Sequence, residues 1–568
     1  MSERGTGDGV VAEVVEPVKD ARRHDLDALR GFAMLLGIVL HAALSFYPGM
    51  PWVVQDSDPI AGTDVAVSAI HGFRMPLFFL LSGFFTAMLW RRRGMGGLLR
   101  QRALRIAVPL GIGAATLVPL MWWLIIGLGG SGDPAPVEVD PEATVWSAAR
   151  DDNGAAIRVL VEDGADVNAP DAQFQTTPLG WAAIGDSPEA ATVLIELGAD
   201  PNKTYGMGST ASHTAMFFGH AAVAEALIEG GADLTIRDPQ GSTPEATMNA
   251  PQQITMMIAG FVQLDKDWET IAAGREEIRA MLAARGLEST EPPPTLAEGL
   301  NAIYAGLTQV PFFHHLWFLW HLCFLVGLFA LVVLVGGRLG TGWVPGVLVA
   351  SPLALALLVP LTAWTQSMMT MAPFGPDTSA GLIPMPHVLG HYAVFFLFGA
   401  LVYTHRGAAE RLGRGWWLML PLAVAVLVPS LAMSVRAPWT LEWGMSEGWY
   451  RALGLAGQSL FCWLMVFGLM GLFEAWLSRE RGWVRFLSDS SYWLYLIHLP
   501  LVIVGQWLVR DWDVPGPVKL TLLLVVTMAV LLVSYRYLVR YTPIGWLLNG
   551  RRKRPDRAVV KDPVVAGV

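Results

Sequence analysis

The sequence predicts an all-α protein: a polytopic transmembrane helical bundle of about ten spans, interrupted by an inserted helical solenoid. Three observations predict it. Of 568 residues, 53% are hydrophobic and only 15% charged, whereas soluble domains carry about a quarter charged residues. Apolar runs long enough to cross a bilayer recur along the chain. Between the third and fourth of them lies a polar stretch in which Gly-Ala-Asp recurs at Gly164–Asp166, Gly198–Asp200 and Gly231–Asp233.

A span needs about 20 mostly apolar residues. Such runs lie near 29–48, 66–90, 104–129, 313–336, 343–365, 386–404, 416–434, 452–477, 490–509 and 518–538. They are too long, and alternate too little, for barrel strands. Basic residues set their orientation. Arg91, Arg92, Arg93, Arg100, Arg102 and Arg105 follow the second run, Arg406, Arg411 and Arg414 the sixth, and Arg479, Arg481 and Arg485 the eighth; Arg551, Arg552, Lys553 and Arg554 sit in the tail. The alternate loops 49–65 and 366–385 hold no Lys or Arg. The expected topology has both termini cytoplasmic and the long loop 130–312 outside. Residues 1–24 form an N-terminal tail, 25–130 the first membrane part, 313–545 the second and 546–568 a basic tail.

The repeat spacing in the loop matches the ankyrin period of about 33 residues. Thr177-Pro178 and Thr243-Pro244 stand where an ankyrin unit starts its first helix. Ala148-Ala149 and Ala182-Ala183 supply small residues where paired helices touch, and Val159-Leu160 and Val193-Leu194 fill the second helix. Ankyrin repeats are expected over 140–250, with a helical cap or linker over 251–312. Such surfaces are general binding platforms, so a protein partner is expected and its identity is open.

The net charge of −9 belongs largely to the insert, and the basic residues cluster in short loops. Nucleic acid is therefore not an expected partner, whereas the lipid bilayer is. Two cysteines, Cys323 and Cys462, allow no disulfide framework and no zinc site. No metal site is expected, and His387 and His391 have helical ligand spacing without an accompanying carboxylate. No cleavable signal peptide is read at the N-terminus.

Charged and imidazole side chains inside lipid are costly, so each is a functional candidate. His41 lies eleven residues after Arg30, roughly 16 Å deeper on a helix. Arg74 lies eight residues past Ala66 in the next span, roughly 12 Å in from the opposite side. His41 and Arg74 thus reach similar depths, and His321 and His498 fall near mid-membrane. An enclosed polar pocket is expected, with Asp27, His71, His315, His321 and His498 as further candidates.

Asp27-Ala-Leu-Arg30-Gly-Phe-Ala-Met-Leu-Leu-Gly-Ile-Val-Leu-His41 resembles the first-span signature of the acyltransferase-3 membrane proteins. Phe73-Arg-Met-Pro-Leu-Phe-Phe-Leu-Leu-Ser-Gly-Phe84 resembles their second-span signature, and Arg102-x-x-Arg105 their basic motif. His315-Leu-Trp-Phe-Leu319, Ser491-Tyr-Trp-Leu-Tyr-Leu-Ile-His498 and the ending Tyr541-Thr-Pro-Ile-Gly-Trp-Leu-Leu-Asn-Gly550 also fit. Together they are most similar to the branch that succinylates osmoregulated periplasmic glucans. The resemblance covers about 25–130 and 313–552, and the ankyrin insert departs from the usual pattern. It implies an O-acyltransferase of the bacterial inner membrane. The acyl group, succinyl or acetyl, would pass from cytoplasmic succinyl-CoA or acetyl-CoA to a hydroxyl of an extracytoplasmic glycan. The donor is a substrate, and no permanently bound cofactor is implied.

The residues suit that chemistry. Arg102 and Arg105 would hold the donor's phosphates. An alcohol needs a base to attack a thioester, and His41 fits that role. Arg30 or Arg74 would stabilise the oxyanion or hold an anionic acyl group. A covalent acyl-His41 is the other route, and the sequence leaves both open. Structural readings stand beside these: Arg30 as an interfacial anchor, Asp27 as a helix cap, Arg102 and Arg105 as topology charges, and the other histidines as interhelical hydrogen-bonders. Ten spans with buried charges also suit a transporter or flippase, and the repeats suit an interaction protein on a membrane scaffold.

Overall fold

The computed structural model describes residues 23–48, 52–128, 144–171, 175–205, 208–238, 241–262, 264–287, 296–339, 344–351, 353–369, 374–435 and 445–550. Most of the N-terminal tail and the basic tail from Arg551 onward fall outside these. The described residues are helical and form no named strand. Three helices precede the insert: α1 (His24–Ala43), α2 (Thr63–Arg102) and α3 (Val108–Leu128). The insert holds α4 (Val145–Arg150), α5 (Gly154–Glu162), α6 (Pro178–Gly185), α7 (Pro188–Glu196), α8 (Ala211–Phe217), α9 (Ala221–Glu229), α10 (Pro244–Thr247), α11 (Gln252–Phe261), α12 (Trp268–Arg285) and α13 (Leu296–Gln309). The second membrane part holds α14 (Trp317–Leu339), α15 (Gly346–Ala350), α16 (Leu353–Gln366), α17 (Pro386–Thr404), α18 (Ala408–Gly413), α19 (Trp416–Ser434), α20 (Glu447–Leu477), α21 (Gly482–Val509), α22 (Gly516–Ser534) and α23 (Pro543–Asn549).

Among the described residues, eight helical runs are long and apolar enough to cross a membrane. The sequence predicts about ten crossings, and two features account for the difference. The run Thr63–Leu128 is 66 residues long, roughly 99 Å if straight and three times what a bilayer needs. It does not stay straight. Gly94 takes φ +68°, which breaks the helix. Beyond it Arg102 Nη2 reaches Thr86 Oγ1 at 2.8 Å, although sixteen residues of straight helix would separate them by roughly 24 Å. The chain therefore doubles back at Gly94, and one run contains the second and third expected spans. The fifth is interrupted: Ser351 is extended, and the helix after it, Leu353–Gln366, has 14 residues.

Small residues set how closely these helices pack, as membrane bundles require. A Cβ on Gly83 would lie 1.8 Å from the Phe396 carbonyl oxygen, and one on Gly399 would lie 1.9 Å from that of Leu80. These paired glycines let α2 and α17 touch backbone to backbone. Gly83→Ala is expected to destabilise the protein by about 1–3 kcal/mol through overpacking. Thermal unfolding in detergent measures it, with Gly96→Ala, where an added Cβ meets nothing within 4 Å, as the silent control. The second close approach positions the site. α1 and α21 touch where a Cβ on Gly31 would sit 3.4 Å from Ser488 Cα. Ten residues further along each helix lie His41 and His498.

The insert stacks as ankyrin units. Thr177 caps α6 by accepting from the Gly180 amide at 3.1 Å, and Thr243 caps α10 from Ala246 at 3.3 Å. Each cap precedes a proline in the first turn, a position where no amide hydrogen is missed. Asn168 binds Gly198 O and the Asp200 amide at 3.1 and 2.8 Å; Asn202 repeats this with Gly231 and Asp233 at 3.2 and 2.6 Å. This ladder ties each unit's loop to the next. α12 packs on α8 and α9 and carries Arg275, 2% exposed, with its guanidinium on Phe217 O, Ala250 O and Thr255 Oγ1.

His220 is expected to make this domain acid-sensitive. Its Nδ1 donates to Ala183 O at 2.9 Å and lies 4.0 Å from Asp186, which also pairs with Lys266. Burial pushes its pKa down to about 4, with Asp186 opposing and Lys266 reinforcing. The folded state thus binds fewer protons than the unfolded one between that value and about 6.5. The stability contribution is complete above the unfolded pKa and is lost as pH falls through that window, on the order of 1–2 kcal/mol by pH 5. Hydrogen-exchange protection of α8 and α9 in the whole protein is expected to fall between pH 7 and 5, and to fall less in His220→Phe.

Candidate active site

His41 sits in the last turn of α1, where the helix tightens into a short turn over Leu44–Phe46. Its Nδ1 is 3.0 Å from Nε2 of His498. The tautomers follow from what surrounds them. His498 Nδ1 faces the carbonyls of Leu494 and Tyr495 at 3.1 and 2.8 Å. Carbonyl oxygens only accept, so the His498 proton is on Nδ1 and its Nε2 presents a lone pair. His41 Nδ1 must then donate, which leaves the neutral His41 with a bare Nε2. That is the arrangement a general base needs, with the second histidine fixing the ring.

Arg74 is the neighbouring cation. A Cβ on Gly37, one turn before His41, would lie 2.4 Å from Arg74 Nη1, so this glycine makes room for the guanidinium. Arg74 Nε is buried without a hydrogen-bond partner, and among the described residues no carboxylate pairs with the side chain. A buried charge left uncompensated is costly, so the location suits a site that receives an anion or an oxyanion.

The wall opposite the arginine-rich face comes from the loop 52–60. Trp52 stacks on the His41 imidazole, centroids 6.1 Å apart and planes 19° apart. Gln506, 1% exposed, joins the two: it accepts from Trp52 Nε1 at 2.9 Å and donates to the carbonyls of His41 and Ala42 at 2.9 and 3.2 Å. Those carbonyls lie in the last turn of α1, where intrahelical partners run out. A buried ion pair, Lys519 Nζ to Asp56 Oδ1 at 2.9 Å, ties the loop to α22. None of Gln506, Asp56, Lys519, Trp52 or Gly37 is singled out by the sequence. A lysine within an apolar run was the available signal for the ion pair.

The other expected residues divide into two groups. His315 Nε2 donates to Leu496 O at 3.0 Å, and its ring centroid is 5.6 Å from that of His498. His71, one turn before Arg74, binds Pro376 O at 2.9 Å. That carbonyl belongs to the loop 374–382, most of which is buried, with Asp377 and Ser379 at 1% and 0% exposure and Leu382 exposed. Among the described residues, His321 has no hydrogen bond or ring contact with His41, His498 or Arg74. Its Nδ1 donates to Trp317 O in its own helix, and the ring packs among Phe79, Trp317 and Tyr392. Equal depth did not mean a shared face.

Arg30 also falls elsewhere than beside the His41 ring. It pairs with Asp27 at 3.7 Å and reaches Ser488 O and Oγ at 3.5 and 3.4 Å. Arg102, bonded to Thr86, stands within Coulombic reach of both Arg30 and Arg105. Arg105 abuts Gly550, where a Cβ would meet its Nη2 at 2.5 Å. α1 is continuous from His24 to Ala43, so this arginine group lies about eleven residues, roughly 16 Å, from His41. Of the two arginines, Arg74 is the one packed against α1 one turn from His41, and Arg30 lies toward the other end of that helix.

The profile of the acyltransferase-3 family, described as an acyltransferase domain, matches residues 23–181 and 278–536. The chain belongs to the acyltransferase-3 family. It is a multi-pass membrane protein. A second profile, three copies of ankyrin repeats, matches 145–238. Both profiles claim 145–181, where α4 to α6 pack as ankyrin helices. The chain is also 34% identical over 107 residues to the glucans biosynthesis protein C of Escherichia coli strains SMS-3-5 and O1:K1. That similarity covers 19% of this chain and 26% of each relative, so it spans about a quarter of their length.

Proposed function

We propose that this acyltransferase moves a succinyl or acetyl group from a cytoplasmic CoA thioester to a hydroxyl of an extracytoplasmic glycan, with His41 as general base. The bare Nε2 of His41, set by the His41–His498 hydrogen bond at 3.0 Å, carries this reading. The donor's phosphates rest on Arg30, Arg102 and Arg105, and its pantetheine arm runs along α1 and α21 toward the ring. The acceptor arrives past Trp52. His41 Nε2 takes the hydroxyl proton as the oxygen attacks the thioester carbonyl. The oxyanion that forms faces Arg74. It collapses as the C–S bond breaks, and the proton passes from His41 to the departing thiolate. The similarity to glucans biosynthesis protein C supports a glucan as acceptor. The ankyrin repeats bind a protein partner on the same side as that acceptor.

The test is release of free CoA thiol by the purified protein. Thiol is expected from succinyl-CoA or acetyl-CoA only when glucan is present, with an equal amount of ester on the glucan. Neither thiol nor ester with any CoA thioester would defeat the reading. Glucan crossing a vesicle membrane unmodified would instead favour a transporter.

A further inference from the structure

Where α1 begins and the chain turns from α20 into α21, His24, Asp27, Arg479, Arg481, Val484, Arg485 and Ser488 line a shallow cleft. Ser488 also holds Arg30, so the cleft opens directly beside the arginine group at the mouth. The carboxylates around it are engaged. Asp25 and Glu410 pair with Arg23 at 2.7 Å, Asp27 with Arg30 at 3.7 Å, and Glu480 with Arg485. Arg479 and Arg481, both exposed, have no carboxylate partner among the described residues. Two uncommitted guanidiniums thus face a concavity next to three more arginines.

In the reading above, Arg30, Arg102 and Arg105 would take the donor's pyrophosphate. Coenzyme A carries a separate phosphate on its ribose 3′-oxygen, further from the thioester. We infer that the cleft lined by Arg479 and Arg481 is a second phosphate subsite that takes the ribose 3′-phosphate of a CoA donor. This rests on the CoA-donor reading above. A guanidinium's planar donors match a phosphate monoester, and the doubly charged group rewards two of them. The order along the chain also fits: cleft, Ser488, Arg30, then α1 and α21 leading inward to the histidine pair.

The experiment compares a CoA thioester with its 3′-dephospho analogue on the purified full chain. The wild type is expected to show roughly tenfold higher KM for the dephospho donor, about the effect of one charge-assisted contact. In the double variant Arg479→Ala/Arg481→Ala, the KM for intact donor should rise to meet that of the analogue, and discrimination should vanish. An unchanged KM ratio in the double variant overturns the inference, including the case in which these arginines hold lipid phosphates and the variant merely loses stabilisation by anionic phospholipid. Calorimetry with adenosine 3′,5′-bisphosphate and 5′-AMP reads the subsite without turnover. Preference for the bisphosphate, lost in the double variant, supports it, and equal binding in the wild type refutes it. A protein that shows this preference but acylates nothing separates failure of the transfer reaction from failure of the subsite.

Discussion

His41→Ala is expected to lower acyl transfer by about 10²–10⁴-fold, the usual contribution of a positioned general base. KM for the donor should hardly move, because the arginines proposed to bind its phosphates lie at the other end of α1. The fold should survive, since His41 is half-buried at a helix end and the close contact of α1 with α21 is made at Gly31 and Ser488. The geometry distinguishes two roles for the histidines. His498 does not present a free nitrogen to substrate: its Nδ1 is held by backbone carbonyls and its Nε2 by His41. His498→Gln keeps an acceptor for the His41 proton, and is expected to lose less activity than His498→Ala. Steady-state kinetics of the three variants, with detergent-solution unfolding as the stability control, make the comparison.

Arg74→Ala is expected to cost about 10²–10³-fold in turnover, as loss of an oxyanion-stabilising group does. Arg74→Lys should restore little, because a compact ammonium does not reproduce the guanidinium's reach or its planar donors. Gly37→Ala offers an independent route to the same deficit without touching a charge. The added methyl would lie 2.4 Å from Arg74 Nη1 and would force the guanidinium aside. Gly390→Ala, where an added Cβ meets nothing within 4 Å, is the matched control. If Gly37→Ala retained full activity while Arg74→Ala lost it, the placement of the guanidinium against α1 would be wrong.

Much of this was legible in the chain, for identifiable reasons. The ankyrin period survives because Asn168 and Asn202 must meet the next unit's loop at fixed spacing. The apolar runs survive because lipid admits little else. Span depth placed His41, Arg74 and His498 at one level, and the register of α1 on α21 brings the two histidines into contact. Depth alone did not show that His321 contacts Trp317, Phe79 and Tyr392 and not the histidine pair, because it fixes height and not azimuth. Arg30 was open to two roles, and its contacts with Asp27 and Ser488 place it at the mouth. The turn between the second and third spans was legible, because Arg91–Arg105 separates two apolar runs, whereas its exact place, set by the positive φ of Gly94, was not. Gln506 and the Asp56–Lys519 pair were hidden for another reason. Their value lies in contacts across more than 450 residues of sequence, and no local pattern reports those.

The most direct measurement of the central claim uses sealed vesicles with donor and acceptor on opposite sides. A CoA thioester carrying a labelled acyl group is supplied to the arginine-rich face, and glucan to the face bearing Trp52. Labelled ester is expected on the glucan in this arrangement, with the CoA moiety staying on its own side, and none is expected when the two substrates are exchanged or when His41 is Ala. Label reaching glucan equally in the His41→Ala protein, or only when both substrates share one side, would contradict transfer through the histidine pair.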